Sequence, residues 1–510
     1  MKIRVMIAVS AAKLVGYICK KMGRQGVTWA GKVAIKICPD ILEQLSSQVK
    51  KGIFATCGTN GKTTTNNMLC AALEAEGQKV ICNHTGSNML NGVVAAFVLA
   101  AKWNGKIDAD YACIEADEAS TRHIFPRIKP DYMLLTNLFR DQLDRYGEID
   151  ITMNILEEMM RKVPGMQIIV NGDDALSAYL AMDTGNTYVT YGISRPVMES
   201  AANEIREGRF CKCCGEKLEY RFYHYSQLGD YYCPKCGFAR PKLDFDAEDV
   251  KVGDQLSFTV DGRHIVANYK GFYNVYNILA AYAGVRTAGF TGEHFQEMLR
   301  KFNPENGRME QFRIKGTGVT LNLAKNPAGF NQNISAVMQD PSPKDIIIAI
   351  NDNAQDGTDI SWLWDVDFDL LLADPLAAHL EAEVLRLPGP DGAPLVSKLV
   401  CRCVLCVRAD REPRSVRRHL DRVAELRGVD EGLPPGGRRP DGGLPPPAVR
   451  RSSLLETLKG GLSDAFAEGH VEAPSVYFRV SPHFSEECGG LSFKADTIHE
   501  LHPPHLRPRE

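Results

Sequence analysis

The stretch ATCGTNGKTTTNNML, Ala55–Leu69, constrains this chain more than any other. Gly52-Ile53-Phe54-Ala55-Thr56 reads as a short apolar strand and Asn66–Leu73 as a helix, with Gly58 and Gly61 in the turn between them. A strand that leaves a tight glycine turn as a helix aims backbone N–H groups and a positive helix end at one point, which suits a phosphate. Lys62 offers a cation for the terminal phosphates, and Thr63 a hydroxyl for Mg²⁺. The usual G-x-x-x-x-G-K-[ST] spacing is not met, because Thr56 stands where the first glycine belongs. The required residue types are nonetheless complete, so the stretch reads as a nucleotide loop of different build.

The 510 residues leave room for roughly two to four domains. A formal charge of −3 gives no reason to expect a nucleic-acid partner or an electrostatic membrane tether. No apolar run approaches the ~20 residues of a membrane span. The N-terminal MKIRVMIAVSAAKLVGYICKK has some likeness to a secretory signal, but Lys13 interrupts it and no convincing cleavage site follows. Several of the 15 cysteines stand alone in apolar surroundings, as expected in a reducing cytoplasm.

From Gly52 onward, strand and helix alternate. Lys79–Cys82, Ala109–Glu115, Asp131–Thr136 and Gln167–Val170 read as buried strands, which predicts a parallel-rich sheet with helices on both faces. Polar residues gather at the carboxyl ends of these strands, where open α/β sheets bind ligands. A helix after Gly271 carries Asn274 and Asn277, and a second α/β unit begins near Arg308 with a strand over Asp345–Ile350. The expected division is a helical lead-in over 1–45, a central ATPase domain over 46–300, the start of a second Rossmann-like domain over 301–370, and a tail over 371–510. Residues 1–370 hold 24 Lys and 17 Arg, whereas 371–510 hold 3 Lys and 16 Arg with Pro/Gly-rich runs. That change predicts a poorly ordered tail, produced by a shifted reading frame or a fusion.

Two knuckles, Cys211-x-x-Cys214-Gly215 and Cys233-Pro234-x-Cys236-Gly237, carry the most specific spacing. Each C-x-x-C turn converges two thiolates, and four suit a closed, structural Zn²⁺ site in a ribbon over about 208–240. Cys213 would break the two-residue spacing. Glu115, at a buried strand end, is a candidate for Mg²⁺ or its bound water, with Glu118 competing. Asp141 lies in the polar segment Thr136–Asp150, and Arg308 is a candidate phosphate contact.

GTNGKTTT, the Glu115 strand end, TNLFRDQLDRYGE, NGDD, YNVYNILAA and NGRME, in this order, resemble the Mur ligases. That family's own loop is of the TNGKT type, which accounts for Thr56. The ribbon insert, LNLAKNPAGFNQ and NDNAQDGTDISWLWDVDF resemble its MurT subgroup, the synthetase subunits of lipid II isoglutaminyl synthase. The resemblance covers roughly residues 1–370 and implies a Mur-ligase-type central ATPase domain. It further implies ATP-dependent amidation of the D-glutamate α-carboxylate of the lipid II stem peptide at the cytoplasmic membrane face, in peptidoglycan synthesis. Ammonia would come from glutamine through a GatD-like glutaminase subunit. By the same resemblance, Thr59, Asn60, Gly61, Lys62, Thr63 and Thr64 would wrap the ATP phosphates. Thr63 and Glu115 would hold Mg²⁺, and Asn277 and Arg308 would contact the nucleotide. Asp356, with Asp352 and Asp359 as alternates, would complete the partner's Cys–His pair into a triad.

Some departures accompany the match. Gln142 replaces the histidine of the family's D-H-L-D segment, with Tyr146 further on, and no familiar continuation of the second domain follows Leu370. An amino-acid-adding Mur ligase or folylpolyglutamate synthetase is the alternative enzyme, although neither needs the Cys₄ ribbon. A catalytically impaired ATP-binding scaffold is the alternative that follows from the tail.

Overall fold

The computed structural model describes residues 3–22, 27–140, 149–197, 208–253, 255–303, 308–314, 317–340, 344–351, 361–373, 377–385 and 403–409. Asp141, Gln142, Tyr146, Asp352, Asp356 and Asp359 lie outside the described residues, as does 410–510.

The first elements are helices α1 (Ile3–Lys21), α2 (Val27–Ile37) and α3 (Ile41–Ser46). The central strands are β1 (Gly52–Cys57), β2 (Val80–Cys82), β3 (Tyr111–Glu115), β4 (Tyr132–Leu135), β5 (Gln167–Asn171) and β6 (Tyr188–Gly192). After a hairpin of β7 (Glu219–Tyr225) and β8 (Leu228–Tyr232), β9 (Phe245–Asp246) completes the sheet. The spatial order is β2-β3-β1-β4-β5-β6-β9, and all neighbours pair in parallel.

A parallel sheet has both faces covered, and β1 and β3 are buried along their whole length. Alternation along β1 sends Ile53, Ala55 and Cys57 to one core and Phe54 to the other. The first core lies beneath α1, α2, α3 and α5 (Leu90–Ala100). The second lies beneath α4 (Lys62–Ala75) and Tyr273–Thr287. An antiparallel sheet of β10 (Glu248–Lys251), β11 (Leu256–Val260) and β12 (Arg263–Ala267) adds Leu256, Phe258, Val260, Ile265 and Ala267 to the second core.

Beyond residue 307 come β13 (Arg308–Ile314), β14 (Thr317–Ala324), β15 (Lys344–Asn351), β16 (Ala377–Leu385) and β17 (Cys403–Ala409), in the order β13-β14-β17-β15-β16. Only β15 and β16 pair in parallel. The helix Pro327–Met338 packs Phe330, Ile334 and Val337 near Ile346, Ile348, Trp362 and Leu371. Two of these strands lie past residue 370, so the second sheet runs beyond the limit read from the sequence. The short alternation in Ala377–Leu385 is rich in Ala and Glu, which depresses its strand propensity and hides it from pattern reading.

The α2–α5 contact is backbone-close. A Cβ on Gly31 would stand 1.8 Å from the Asn91 carbonyl oxygen. Gly31→Ala should therefore lower the unfolding free energy by about 1–3 kcal/mol, read by denaturant titration of the central domain.

Candidate active site

The loop is set by two backbone positions that only glycine adopts freely. Gly58 has φ 119° and Gly61, which caps α4, has φ 82°. A Cβ on Gly61 would lie 2.1 Å from Asn277 Oδ1, so the asparagine packs directly on the turn. Asn277 also accepts a 3.3 Å hydrogen bond from Thr65 Oγ1 and donates at 3.0 Å to Asn274 Oδ1.

The strand-end acids are divided between the two loop side chains. Glu118 Oε1 accepts from Lys62 Nζ at 2.9 Å and from the Gly58 N–H at 2.8 Å. Lys62 and Glu118 are 5% and 4% exposed, so this is a buried ion pair. Glu115 Oε2 instead accepts from Thr63 Oγ1 at 2.6 Å, and Asn88 Nδ2 donates to Glu115 Oε1 at 2.9 Å. Asn83 holds the Glu115 backbone on both sides, accepting from its N–H at 2.8 Å and donating to its carbonyl at 2.9 Å. The hydroxyl and carboxylate beside the loop thus offer two oxygens of the kind that could ligate a hard divalent cation.

The floor of the loop comes from the segment after β4. Asn137 Oδ1 accepts from the Asn60 N–H at 2.9 Å, and Thr136 Oγ1 donates to the Asn60 carbonyl at 2.8 Å. Thr59 Oγ1 donates to the Phe139 carbonyl at 2.9 Å. A cavity of about 680 Å³ opens beside Thr63 and Thr64, between His84 and the helix Phe295–Lys301. That volume suits a small-molecule ligand.

One contact was not legible from the loop alone. Asn60 and Asn326 exchange amide hydrogen bonds, 3.2 Å from Asn60 Nδ2 and 2.9 Å from Asn326 Nδ2. Asn326 also caps the helix Pro327–Met338 through the Gly329 N–H at 2.8 Å. Its N-terminus therefore stands at the phosphate loop. The N-P-A-G order, an Asn cap followed by Pro at the first helical position, was the available signal. Arg140 pairs with Asp365 of the W-x-W-D segment, a second tie between the two sheets' domains. Arg308 opens β13, its backbone paired with Asn322.

NGDD is an anchor. Asp173 accepts from Tyr276 OH at 2.8 Å and Arg240 Nη1 at 3.1 Å, and Asp174 from the Leu138 N–H at 2.8 Å and Gln227 Nε2 at 2.7 Å. Burial pushes both carboxyls up from their ordinary range, against the pull of these partners. These bonds fasten the ribbon to the end of β5. Within the ribbon, the sulfurs of Cys211, Cys214, Cys233 and Cys236 all lie within 4.8 Å of one another. Cys211 is 3.5 Å from Cys236, and Cys214 is 3.5 Å from Cys233. Tetrahedral Zn–S bonds of about 2.3 Å place sulfurs about 3.8 Å apart, so the cluster fits the ion. Gly215 and Gly237, both at positive φ, make the two turns, and Cys213 stands exposed outside the cluster. Cys70, Cys82 and His84 form a second group within the same 4.8 Å limit.

Gly61→Ala should cost about 1–2 kcal/mol from the left-handed backbone alone. Adding Asn277→Ser, which removes the opposing amide, should recover only the steric part in chemical unfolding.

Two protein families match the chain, Mur ligase middle domain over residues 57–285 and MurT ligase C-terminal over residues 323–381. The chain is 35% identical over 384 residues to the lipid II isoglutaminyl synthase (glutamine-hydrolyzing) subunit MurT of Staphylococcus aureus (strain COL), covering 74% of this chain and 86% of that protein. The protein of the same name in Streptococcus pneumoniae (strain ATCC BAA-255 / R6) is 33% identical over 371 residues, 72% of this chain and 82% of that one. The solved pseudomurein peptide ligase type C from Methanothermus fervidus shares the fold, with a TM-score of 0.51 at 24% identity over 69% of this chain and 73% of that one. With identities above 30% over more than four-fifths of each relative's length, and with both family models matched, the chain belongs to the Mur ligase family, in its MurT subgroup.

Proposed function

We propose that the chain is the synthetase subunit of a lipid II isoglutaminyl synthase, converting the α-carboxylate of D-glutamate in the lipid II stem peptide to an amide at the expense of ATP. The observation that carries this reading is the pairing of Lys62 with Glu118 and of Thr63 with Glu115 at one loop, in a chain that aligns along most of the MurT relatives. The reaction would occur in the cytoplasm, where ATP and glutamine are supplied.

ATP would lie on the loop, with Thr59, Asn60, Gly61, Lys62, Thr63 and Thr64 wrapped around its phosphates. Lys62 would turn from Glu118 to the terminal phosphate, and Glu118 would keep the ammonium within reach. Thr63 and Glu115 would hold Mg²⁺, which supplies positive charge against the phosphoryl oxygens. Asn277 and Arg308 would contact the nucleotide, and the helix end capped by Asn326 would add a partial positive charge. The substrate carboxylate oxygen takes the terminal phosphoryl group and ADP leaves. Ammonia then attacks the acyl carbon and phosphate leaves. The protein's part in the first step is charge stabilisation in a fixed site. Ammonia would come from a GatD-like glutaminase, with Asp356, or its neighbours Asp352 and Asp359, orienting the partner's histidine.

The test supplies lipid II, ATP, Mg²⁺ and glutamine to the chain and a purified GatD-like partner, and follows carboxylate-to-amide conversion by mass spectrometry. ATP-dependent amidation is expected, reduced about 10²-fold or more by Lys62→Ala. Incorporation of an amino acid in place of ammonia would overturn the reading in favour of an amino-acid-adding ligase. ATP binding without conversion would leave only a scaffold.

The Cys₄ cluster is proposed to hold one structural Zn²⁺. Metal analysis should find about one zinc per chain, lost in Cys214→Ser and kept in Cys213→Ser. Chelation should expose the 208–240 segment to protease while ATP binding at the loop persists.

A further inference from the structure

Helix α1 is apolar on two sides, and among the described residues only one of them is covered. At 100° per residue, Val5, Ala8, Val9 and Ala12 share one side, and all four are buried in the core beneath α2 and α5. Ile3, Met6, Ile7, Leu14, Tyr17 and Ile18 fall within an arc of roughly 120° on the opposite side, and all six are exposed, Leu14 at 57% and Ile3 at 75%. A soluble helix normally places polar residues on that side.

The charged side chains of α1 and α2 all have one sign. Before Asp40 the sequence has eight Lys and Arg and no Asp or Glu, although the whole chain carries −3. Arg4 borders the stripe on one edge, Lys13 and Lys20 on the other. Two exposed tryptophans stand on neighbouring segments, Trp29 on α2 at 59% and Trp103 after α5 at 63%. Cations lie over these rings: Lys32 Nζ at 5.3 Å from Trp29, Lys13 Nζ at 5.4 Å from Trp103 and Lys21 Nζ at 5.6 Å from Tyr17. An apolar stripe with basic margins and amphipathic aromatics suits the interface of an anionic bilayer, where rings sit at headgroup depth and lysines reach the phosphates. Among the described residues no helix is long and apolar enough to cross a membrane, so α1 would lie along the surface.

We propose that the outer face of α1 docks the protein on a membrane rich in anionic phospholipid. The local charge makes a phospholipid surface a better fit than a second copy, since two such faces would repel. The inference does not depend on the amidation chemistry, and its test uses neither nucleotide nor lipid II.

The experiment is flotation of the full chain with phosphatidylglycerol-containing vesicles and with pure phosphatidylcholine vesicles. Binding to the anionic vesicles is expected, weakened by salt. The exposed pair Leu14→Glu/Ile18→Glu should reduce it roughly tenfold or more, as should Lys20→Glu/Lys21→Glu, with circular dichroism and ATP binding unchanged. Failure of the parent chain to float with anionic vesicles would overturn the proposal. So would unchanged flotation of both variants. If the parent does not float and Leu14→Glu/Ile18→Glu instead dissociates a dimer or releases the glutaminase partner, the face belongs to a protein interface.

Discussion

A buried ion pair governs the loop on which everything else is arranged. Lys62 and Glu118 are almost fully excluded from water, and Glu118 also receives the Gly58 N–H. Burying either charge alone would be costly, and the pairing offsets much of that cost. The pair therefore holds the lysine at the mouth of the turn. The arrangement follows from the sheet. β3 ends in Glu115, three residues before Glu118, and β1 delivers the glycine turn beside it. Two neighbouring parallel strands thus bring acid and base to the same edge, which no single strand could do.

Much of this was legible in the chain because the signals are local. The strand–turn–helix around Gly58 and Gly61 needs residues adjacent in sequence, and so do both C-x-x-C knuckles. The apolar runs of β1, β3, β4 and β5 show as continuous hydrophobic stretches because the sheet is covered on both faces. What escaped depends on distant partners. The family resemblance already joins Glu115 to Thr63, but only the fold gives Glu118, three residues on, to Lys62. Asn60 and Asn326 meet across 266 positions. β10 and β12 are short and rich in charge, so their strand character emerges only once β11 lies between them. Overall charge likewise averages over the chain. A mildly acidic total conceals an N-terminal segment without a single acid.

The ribbon and NGDD separate support from chemistry. Asp173 and Asp174, polar residues at a strand end, resemble a ligand site in sequence, yet their oxygens are committed to Tyr276, Arg240, Leu138 and Gln227. They tie the cysteine insert to the sheet and to the helix bearing Asn277. The insert is thereby braced against the same helix that packs on Gly61.

The reciprocal amide contact between Asn60 and Asn326 has a consequence for motion. It is the point where the ATPase loop touches the cap of the next domain's helix, so a hinge that parts the two domains must unzip it. Two exchanged amide bonds contribute only about 1–3 kcal/mol together. The ion pairs Arg140–Asp365 and Lys270–Asp340 cross the same boundary, so separating the domains would cost salt links as well as these two amides.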